Sequence, residues 1–351
     1  MRGPEALPAL RGGLLALLAA VLFGISTPLV QRFGAGIGSF TTAALLYAGA
    51  ALVGTLLRRP IEREARVQRK DGSRLLLMAF FGAAVGPVAL AWGLQHTSGI
   101  SASLMLTLEA VFTAVLARLW YGETLDGRVL TALTLLTAGG MLLVVDRAQS
   151  GSSQLLGLLA VMGATAAWGV DNTLSRAVSD RDPGQVVMFK GAIGALLTSL
   201  LALAFGEALP DLWPAVALLG VGATGYGLSL RFYLLAQRAF GAARTGSMFA
   251  FAPFVGAMLA LSLGEQSGGA WMLGGTALMI SGICLHLAEK HSHEHQHVLR
   301  DHEHAHSHDD GHHTHSHFEL LVGMHSHSHR HAPMRHAHAH VPDEHHLHKH
   351  P

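Results

Sequence analysis

Two stretches, GISASLMLTLEAVFTAVLARLWYGE (Gly99–Glu123) and GAARTGSMFAFAPFVGAMLALSLGE (Gly241–Glu265), decide the fold. Each runs from a glycine through about twenty mostly apolar or small residues to a Gly-Glu pair, the length a helix needs to cross a hydrocarbon layer. Sliding the chain by 142 residues lays Gln95 on Gln237, Gly99 on Gly241, Gly122 on Gly264, Glu123 on Glu265 and Gly140 on Gly282. A one-residue slip inside the pair brings EAVFTAVLA, from Glu109, over APFVGAMLA, from Ala252. Upstream, FGISTPL from Phe23 lies over WGVDNTL from Trp168 at an offset of 145. The chain therefore reads as two copies of one unit.

Composition says what surrounds those copies. Half of the 351 residues are apolar and 13% are Asp, Glu, Lys or Arg, against roughly a quarter in water-soluble domains. Lipid offers no partners to backbone N–H and C=O groups, so apolar runs of this length are helices. Ten are expected, near Gly12–Gln31, Ser39–Leu57, Leu75–Leu94, Gly99–Tyr121, Arg128–Val145, Leu155–Arg176, Gln185–Phe205, Trp213–Ala236, Ala242–Leu263 and Ala270–Leu287. Turn-forming clusters such as GAGIG after Phe33, SGSS at Ser150 and RDPG at Arg181 separate them. The fold class is an all-α membrane protein, with a first five-helix repeat over 1–145, a linker over 146–154, a second repeat over 155–290 and a tail over 291–351. An odd number of helices per copy reverses the second copy in the membrane, an arrangement shared by many secondary transporters. Arg2 and Arg11 ahead of the apolar stretch from Leu14 would also suit a signal peptide, but the repeat requires this helix.

Arginine and lysine set the orientation. The loop between the second and third spans holds Arg58, Arg59, Arg63, Arg66, Arg69, Lys70 and Arg74, whereas the five connections on the other side hold only Arg32 and Arg147. Both termini are then cytoplasmic. A net charge of +1 gives no basic face for nucleic acid, and a lone Cys284 gives no disulfide or CxxC site. No P-loop, HExxH or GxSxG pattern occurs, so nothing points to an enzyme.

The Gly-Glu pairs Gly122-Glu123 and Gly264-Glu265, each following a Leu-Glu-Ala or Ala-Pro element, resemble the EamA-like family of the drug/metabolite transporter superfamily. WGVDNTLSR from Trp168, YGLSLRFYLLAQRAFGAARTGS from Tyr226 and APF from Ala252 are similar to a bacterial branch that often ends in a His-rich tail. The resemblance covers Gly12 to Leu287 and implies a five-plus-five transporter of the bacterial inner membrane, with a central cavity for small metabolites and no required cofactor. It supplies no substrate and no diagnostic site. Ala110 stands where the family commonly has proline after the glutamate, so the helix break is expected to differ between halves.

Polar residues inside apolar spans are the site candidates, because a charge at mid-bilayer costs on the order of 2.5–3.5 kcal/mol by insertion scales and needs a partner or a function. Glu109 sits about ten residues from either end of its span, with Thr113 one turn on and Met105 one turn back. It is either a cavity-lining cation or proton contact, or half of a structural ion pair. Asp171 and Asn172 lie in the inner half of the sixth span, and Arg176 is five residues from Asp171, a poor helical pairing. Lys190 and Arg231 either snorkel to the interface, pair with Glu109 or Asp171, or capture an anionic substrate group. Tyr226, between two glycines, either stacks on a ligand or packs helices; Trp92 and Trp168 line a cavity or belong to an interfacial belt. Glu123 and Glu265 read as fixing loop geometry, and His96 as solvated.

Of 25 histidines, 23 lie in the tail, which also holds 8 of the 23 acidic residues. They fall in clusters: His291, His293, His295 and His297; His302, His304, His306 and His308; His312, His313, His315 and His317; His325, His327, His329 and His331; His336, His338 and His340; and His345, His346, His348 and His350. Such a segment has too little apolar surface to bury a core and is expected to be disordered without a ligand. Neutral imidazoles suit zinc, nickel, cobalt or copper, and alternating ligands give many overlapping sites. Below the ~6.5 histidine pKa the tail would instead gain charge and approach an anionic leaflet. The partners implied are the lipid bilayer, a small-molecule substrate and divalent metal ions. Three functions stay open: a metabolite carrier whose tail senses metal, a transition-metal transporter, and a membrane-anchored metal buffer or sensor.

Overall fold

The computed structural model describes residues 6–58, 65–121, 127–178, 181–240, 242–265 and 269–287, together with 292–296, 300–306, 325–331 and 335–339. Among these, ten helical segments follow one another: α1 (Ala6–Phe33), α2 (Ser39–Leu57), α3 (Gly72–Met78, Ala79–Val85 and Gly86–Leu94), α4 (Gly99–Met105, Leu106–Leu108 and Glu109–Tyr121), α5 (Gly127–Gln149), α6 (Ser152–Ser175), α7 (Pro183–Ala204), α8 (Leu212–Val221, Gly222–Leu228 and Ser229–Phe240), α9 (Ala242–Phe249 and Ala252–Ser262) and α10 (Ala270–Leu287). The first eight are long and apolar enough to cross a membrane, and α9 and α10 supply two shorter apolar helices. The connection between the halves is tighter than the expected 146–154 linker: α5 runs on to Gln149, and Ser150 and Gly151 make the turn, with Gly151 at φ +119° where a side chain would be strained.

Equivalent helices of the two halves pack against each other antiparallel. In the α2–α7 pair, Phe40 stacks on Phe205 at 5.2 Å between ring centroids, while Gly191 meets the backbone of Tyr47 and Ala51 further along. α5 and α10 run the same way, with Ala132 beside Gly282 and Gly139 beside Gly275. In α4 and α9, Gly256 faces Ser103. The remaining contacts exchange in pairs. α1 packs on α8 and α9, and α6 packs on α3 and α4. A Cβ on Gly24 of α1 would lie 2.8 Å from that of Val255, and one on Gly169 of α6 would lie 2.7 Å from that of Phe112. Reciprocal, antiparallel contacts of this kind are the signature of a pseudo-two-fold relation between halves of opposite orientation.

Both copies of the unit quoted first are interrupted. α4 tightens into a 3-10 turn over Leu106–Leu108, and α9 is interrupted by a turn at Ala250 and Phe251, where the Phe251 N–H donates to the Met248 carbonyl, just before Pro253. Ala110 leaves α4 a backbone N–H at the position where Pro253 has none to give. The 3-10 turn also changes the face expected for Met105, which is fully buried in the core rather than aligned with Glu109.

The described part of the tail departs from the disorder expected of it. β1 (Ser292–Gln296) pairs antiparallel with β4 (Arg335–Ala339), and β2 (Arg300–His306) with β3 (His325–His331). Histidine alternating with other residues is a period-two pattern, the repeat of a strand, and ladder hydrogen bonds do not require the apolar core whose lack prompted the expectation. FELLVGM, from Phe318, lies outside the described residues.

The close helix approaches give a direct test. A Cβ on Gly139 would sit 2.8 Å from the Gly275 carbonyl oxygen, whereas one on Gly163 meets nothing within 4 Å. Gly139→Ala is expected to lower the melting temperature in detergent by the equivalent of about 1–3 kcal/mol, and Gly163→Ala to leave it unchanged or raise it.

Candidate functional site

α3 and α8 carry the same irregularity at the same place. Ala79–Val85 and Gly222–Leu228 are both π-helical, 143 residues apart. A π turn widens the helix and redirects carbonyls, and such turns concentrate at functional sites. In α3 the carbonyl oxygen of Gly82 accepts hydrogen bonds from the Tyr47 hydroxyl of α2 and from Trp168 Nε1 of α6, the latter at 2.9 Å. A Cβ on Gly82 would run into the Asp171 carboxylate, so α3 approaches α6 as closely as glycine allows. The α8 turn carries Tyr226, whose ring lies 5.5 Å from that of Tyr47 and 5.8 Å from that of Phe23.

Around this junction sit three ionisable side chains. Asp171 and Lys190 are 4% and 3% exposed, and the Lys190 ammonium donates to Asp171 Oδ2. Asp171 Oδ1 has no hydrogen-bond partner among the described residues. Glu109 opens the second part of α4 directly after the 3-10 turn and accepts from the Asn172 side-chain amide. Glu109 is half-buried, and it lines a cavity walled also by Asp171, Asn172, Lys190 and Ser229 and by the rings of Phe23, Tyr47, Trp168, Tyr226, Tyr233 and Phe249. It offers about 60 Å³ to the centres of water-sized atoms. One water needs roughly 10–15 Å³ on that measure, so the space suits a few waters or a compact ligand.

The cavity lies between two tied ends. Away from the arginine-rich loop, Glu207 of the second half caps α2 of the first, accepting from the backbone N–H groups of Phe40 and Thr41 and from the Thr41 hydroxyl. Glu265 likewise caps α4, accepting from the N–H groups of Gly99 and Ile100 at 3.0 Å each. Carboxylates at helix N-termini satisfy orphan donors and complement the helix dipole. At the arginine-rich end the contacts between halves run in both directions. Arg181 Nε donates to Asp71 at 2.9 Å, the Val67 N–H donates to the Gln185 side chain, and the Asp182 N–H donates to the Ala65 carbonyl. Glu123, the counterpart of Glu265, lies outside the described residues.

The structure gathers Glu109, Asp171, Asn172, Lys190 and Tyr226 into one cavity, although they come from four helices. Lys190 does not snorkel, because its ammonium is held inside by Asp171. Two other candidates stand outside the walls. Thr113 is packed beside Gly169 with its hydroxyl enclosed and unpartnered among the described residues, and Arg231 is buried elsewhere. Trp168 is on the wall, whereas Trp92 is 39% exposed and stacks on His96. Phe23, Tyr47, Tyr233 and Phe249 were not singled out by sequence. Tyr47 carried a signal, a phenol eight residues from the start of its span and ten from its end, out of reach of an interface.

The Asp171–Lys190 pair sets a stability expectation. Removing one partner of a buried pair strands the other and costs about 3–5 kcal/mol, whereas replacing both can be neutral. Lys190→Met is expected to lower the melting temperature sharply, and Asp171→Asn combined with Lys190→Met to recover most of the loss, as read by thermal unfolding in detergent.

Known proteins share this architecture. Residues 10–145 and 155–288 each match the EamA-like transporter family. An uncharacterized transporter of Methanothermobacter thermautotrophicus is 28% identical over 264 residues, which are 70% of this chain and 76% of that protein. A crystal structure at 17% identity superposes with a TM-score of 0.57, covering 78% of this chain and 94% of its own, a likeness of fold alone. With both halves matched, and each half carrying the same π turn in its third helix, the chain belongs to the EamA-like transporter family.

Proposed function

We propose that this protein is a secondary carrier that moves a small organic solute by alternating access to the cavity around Glu109. In this reading all ten segments cross the bilayer, the two halves are oppositely inserted, and the arginine-rich end and both termini face the cytoplasm of a bacterial cell. The observation that carries it is a polar, ring-lined cavity between two antiparallel halves, tied at either end by contacts that pass from one half to the other. Exchanging one set of ties for the other would open the cavity to each side in turn. No step requires a cofactor. The solute is what a membrane transporter of this family would take as its small-molecule substrate.

The tail is assigned to zinc, nickel, cobalt or copper. Its backbone register supports this, since His293 lies opposite His338, His295 opposite His336, His302 opposite His329, His304 opposite His327 and His306 opposite His325. Directly opposed residues of an antiparallel pair have Cβ atoms about 4.5–5.5 Å apart, a spacing that two imidazoles bridging one metal can use. Among the described residues of the helices no group of three or more His, Cys, Asp or Glu side chains is placed to hold a metal ion, so the proposal gives the helices an organic solute, and metal is assigned to the tail on its histidine register alone.

Uptake and efflux by reconstituted full-length protein, against a solute panel, test the carrier. Glu109→Gln is expected to cut flux at least tenfold while keeping the melting temperature within a few degrees; unchanged flux removes Glu109 from the transport path. Truncation after Lys290 is expected to preserve basal flux and abolish the response to added zinc or nickel. A pure metal buffer would show the opposite pattern, tolerating Glu109→Gln and losing its function with the tail.

A further inference from the structure

The charges on the cavity wall do not balance. Two carboxylates, Glu109 and Asp171, face one ammonium, Lys190, and that ammonium is already committed to Asp171 Oδ2. Among the described residues the hydrogen bond to Glu109 comes from the amide of Asn172, a neutral donor, and the residue is half-buried on the cavity wall. The buried Oδ1 of Asp171 is likewise unpartnered among them. The Ser229 hydroxyl, the wall's other small polar group, is spent on the Ala19 carbonyl at 2.8 Å. The Tyr226 hydroxyl is the wall's one buried donor without a partner among the described residues, so in charge the wall offers a ligand more acceptor than donor.

The rest of the wall is aromatic, and its rings form a connected set. Phe23 is edge-on to Trp168 at 5.6 Å and lies 5.3 Å from Phe249, which in turn meets Tyr233 at 5.1 Å. Ring faces attract cations through their quadrupole, most strongly where water is excluded. Resting on the transport reading above, we propose that the solute is a compact organic cation, an amine whose ammonium lies against Glu109 and whose apolar body lies among these rings. An anionic solute would meet an unneutralised carboxylate. A zwitterion would bring its carboxylate to a wall on which the one ammonium, Lys190, is already paired with Asp171. A neutral apolar solute would leave Glu109 without a counter-charge.

Titration calorimetry of the full-length protein in detergent, with phenethylammonium, 2-phenylethanol, phenylalanine and 3-phenylpropanoate, varies charge on nearly one apolar body. Empty micelles correct for partitioning. Saturable binding of the ammonium is expected, with the alcohol, the zwitterion and the carboxylate each at least tenfold weaker. Glu109→Gln is expected to weaken the ammonium at least tenfold and Glu109→Asp to do so less. If Glu109→Gln loses its cooperative melt, the charge series on the unaltered protein decides alone. The proposal is overturned if any of the other three binds as tightly, if none of the four binds, or if a folded Glu109→Gln protein binds the ammonium undiminished. Preference for the zwitterion with flux intact would end the cation assignment and leave the carrier standing. Absence of flux for every solute, the bound ammonium included, would end the carrier and leave a cation site.

Discussion

A carboxylate and an ammonium shut away from water, Asp171 on α6 and Lys190 on α7, hold the centre of this protein together. Neither charge is tolerable there alone, because desolvating an unpaired ion costs several kcal/mol. The pair therefore fixes α6 against α7. It also dictates its neighbour: the Asp171 carboxylate occupies the space a side chain on Gly82 would need, and the π turn of α3 brings the Gly82 carbonyl to the Tyr47 hydroxyl and the Trp168 indole. Four helices from both halves thus converge on one polar junction, and the cavity is the space left beside it.

The ends of the molecule use a different interaction. Helix N-termini carry orphan N–H groups, and carboxylates of the opposite half satisfy them: Glu207 on α2 and Glu265 on α4. At the other end Asp71 and its neighbours, ahead of α3, meet Arg181 and its neighbours, ahead of α7. Such contacts are short and charge-assisted, and they pass from one half to the other, whereas in the packing of α5 on α10 and of α2 on α7 glycines bring the helix backbones close together.

The two interruptions of α4 and α9 show how one repeat unit diverged. Both fall at matching positions of the repeat, but the proline of α9 lacks the donor that alanine keeps at the matching position of α4, where Glu109 follows the 3-10 turn directly. The half that keeps its donor is the one that presents a carboxylate to the cavity.

Much of this was legible in the chain. The spacing of apolar runs and the 142-residue self-match determined the helical segments, the two-copy organisation and the midspan positions of Glu109, Asp171 and Lys190, because burial of backbone polar groups and the cost of charge in lipid act locally along a sequence. The period-two histidine pattern was equally visible, although its consequence, paired strands, was not drawn from composition. What only the tertiary structure decided was partnership. That Lys190 turns to Asp171 rather than to the interface, that Arg231 and Thr113 stay off the cavity wall, and that Phe23, Tyr47, Tyr233 and Phe249 line it, depend on helix rotations set by π and 3-10 turns. Those turns alter the direction of every side chain beyond them, and which residues then meet across helices distant in sequence is something no local pattern records.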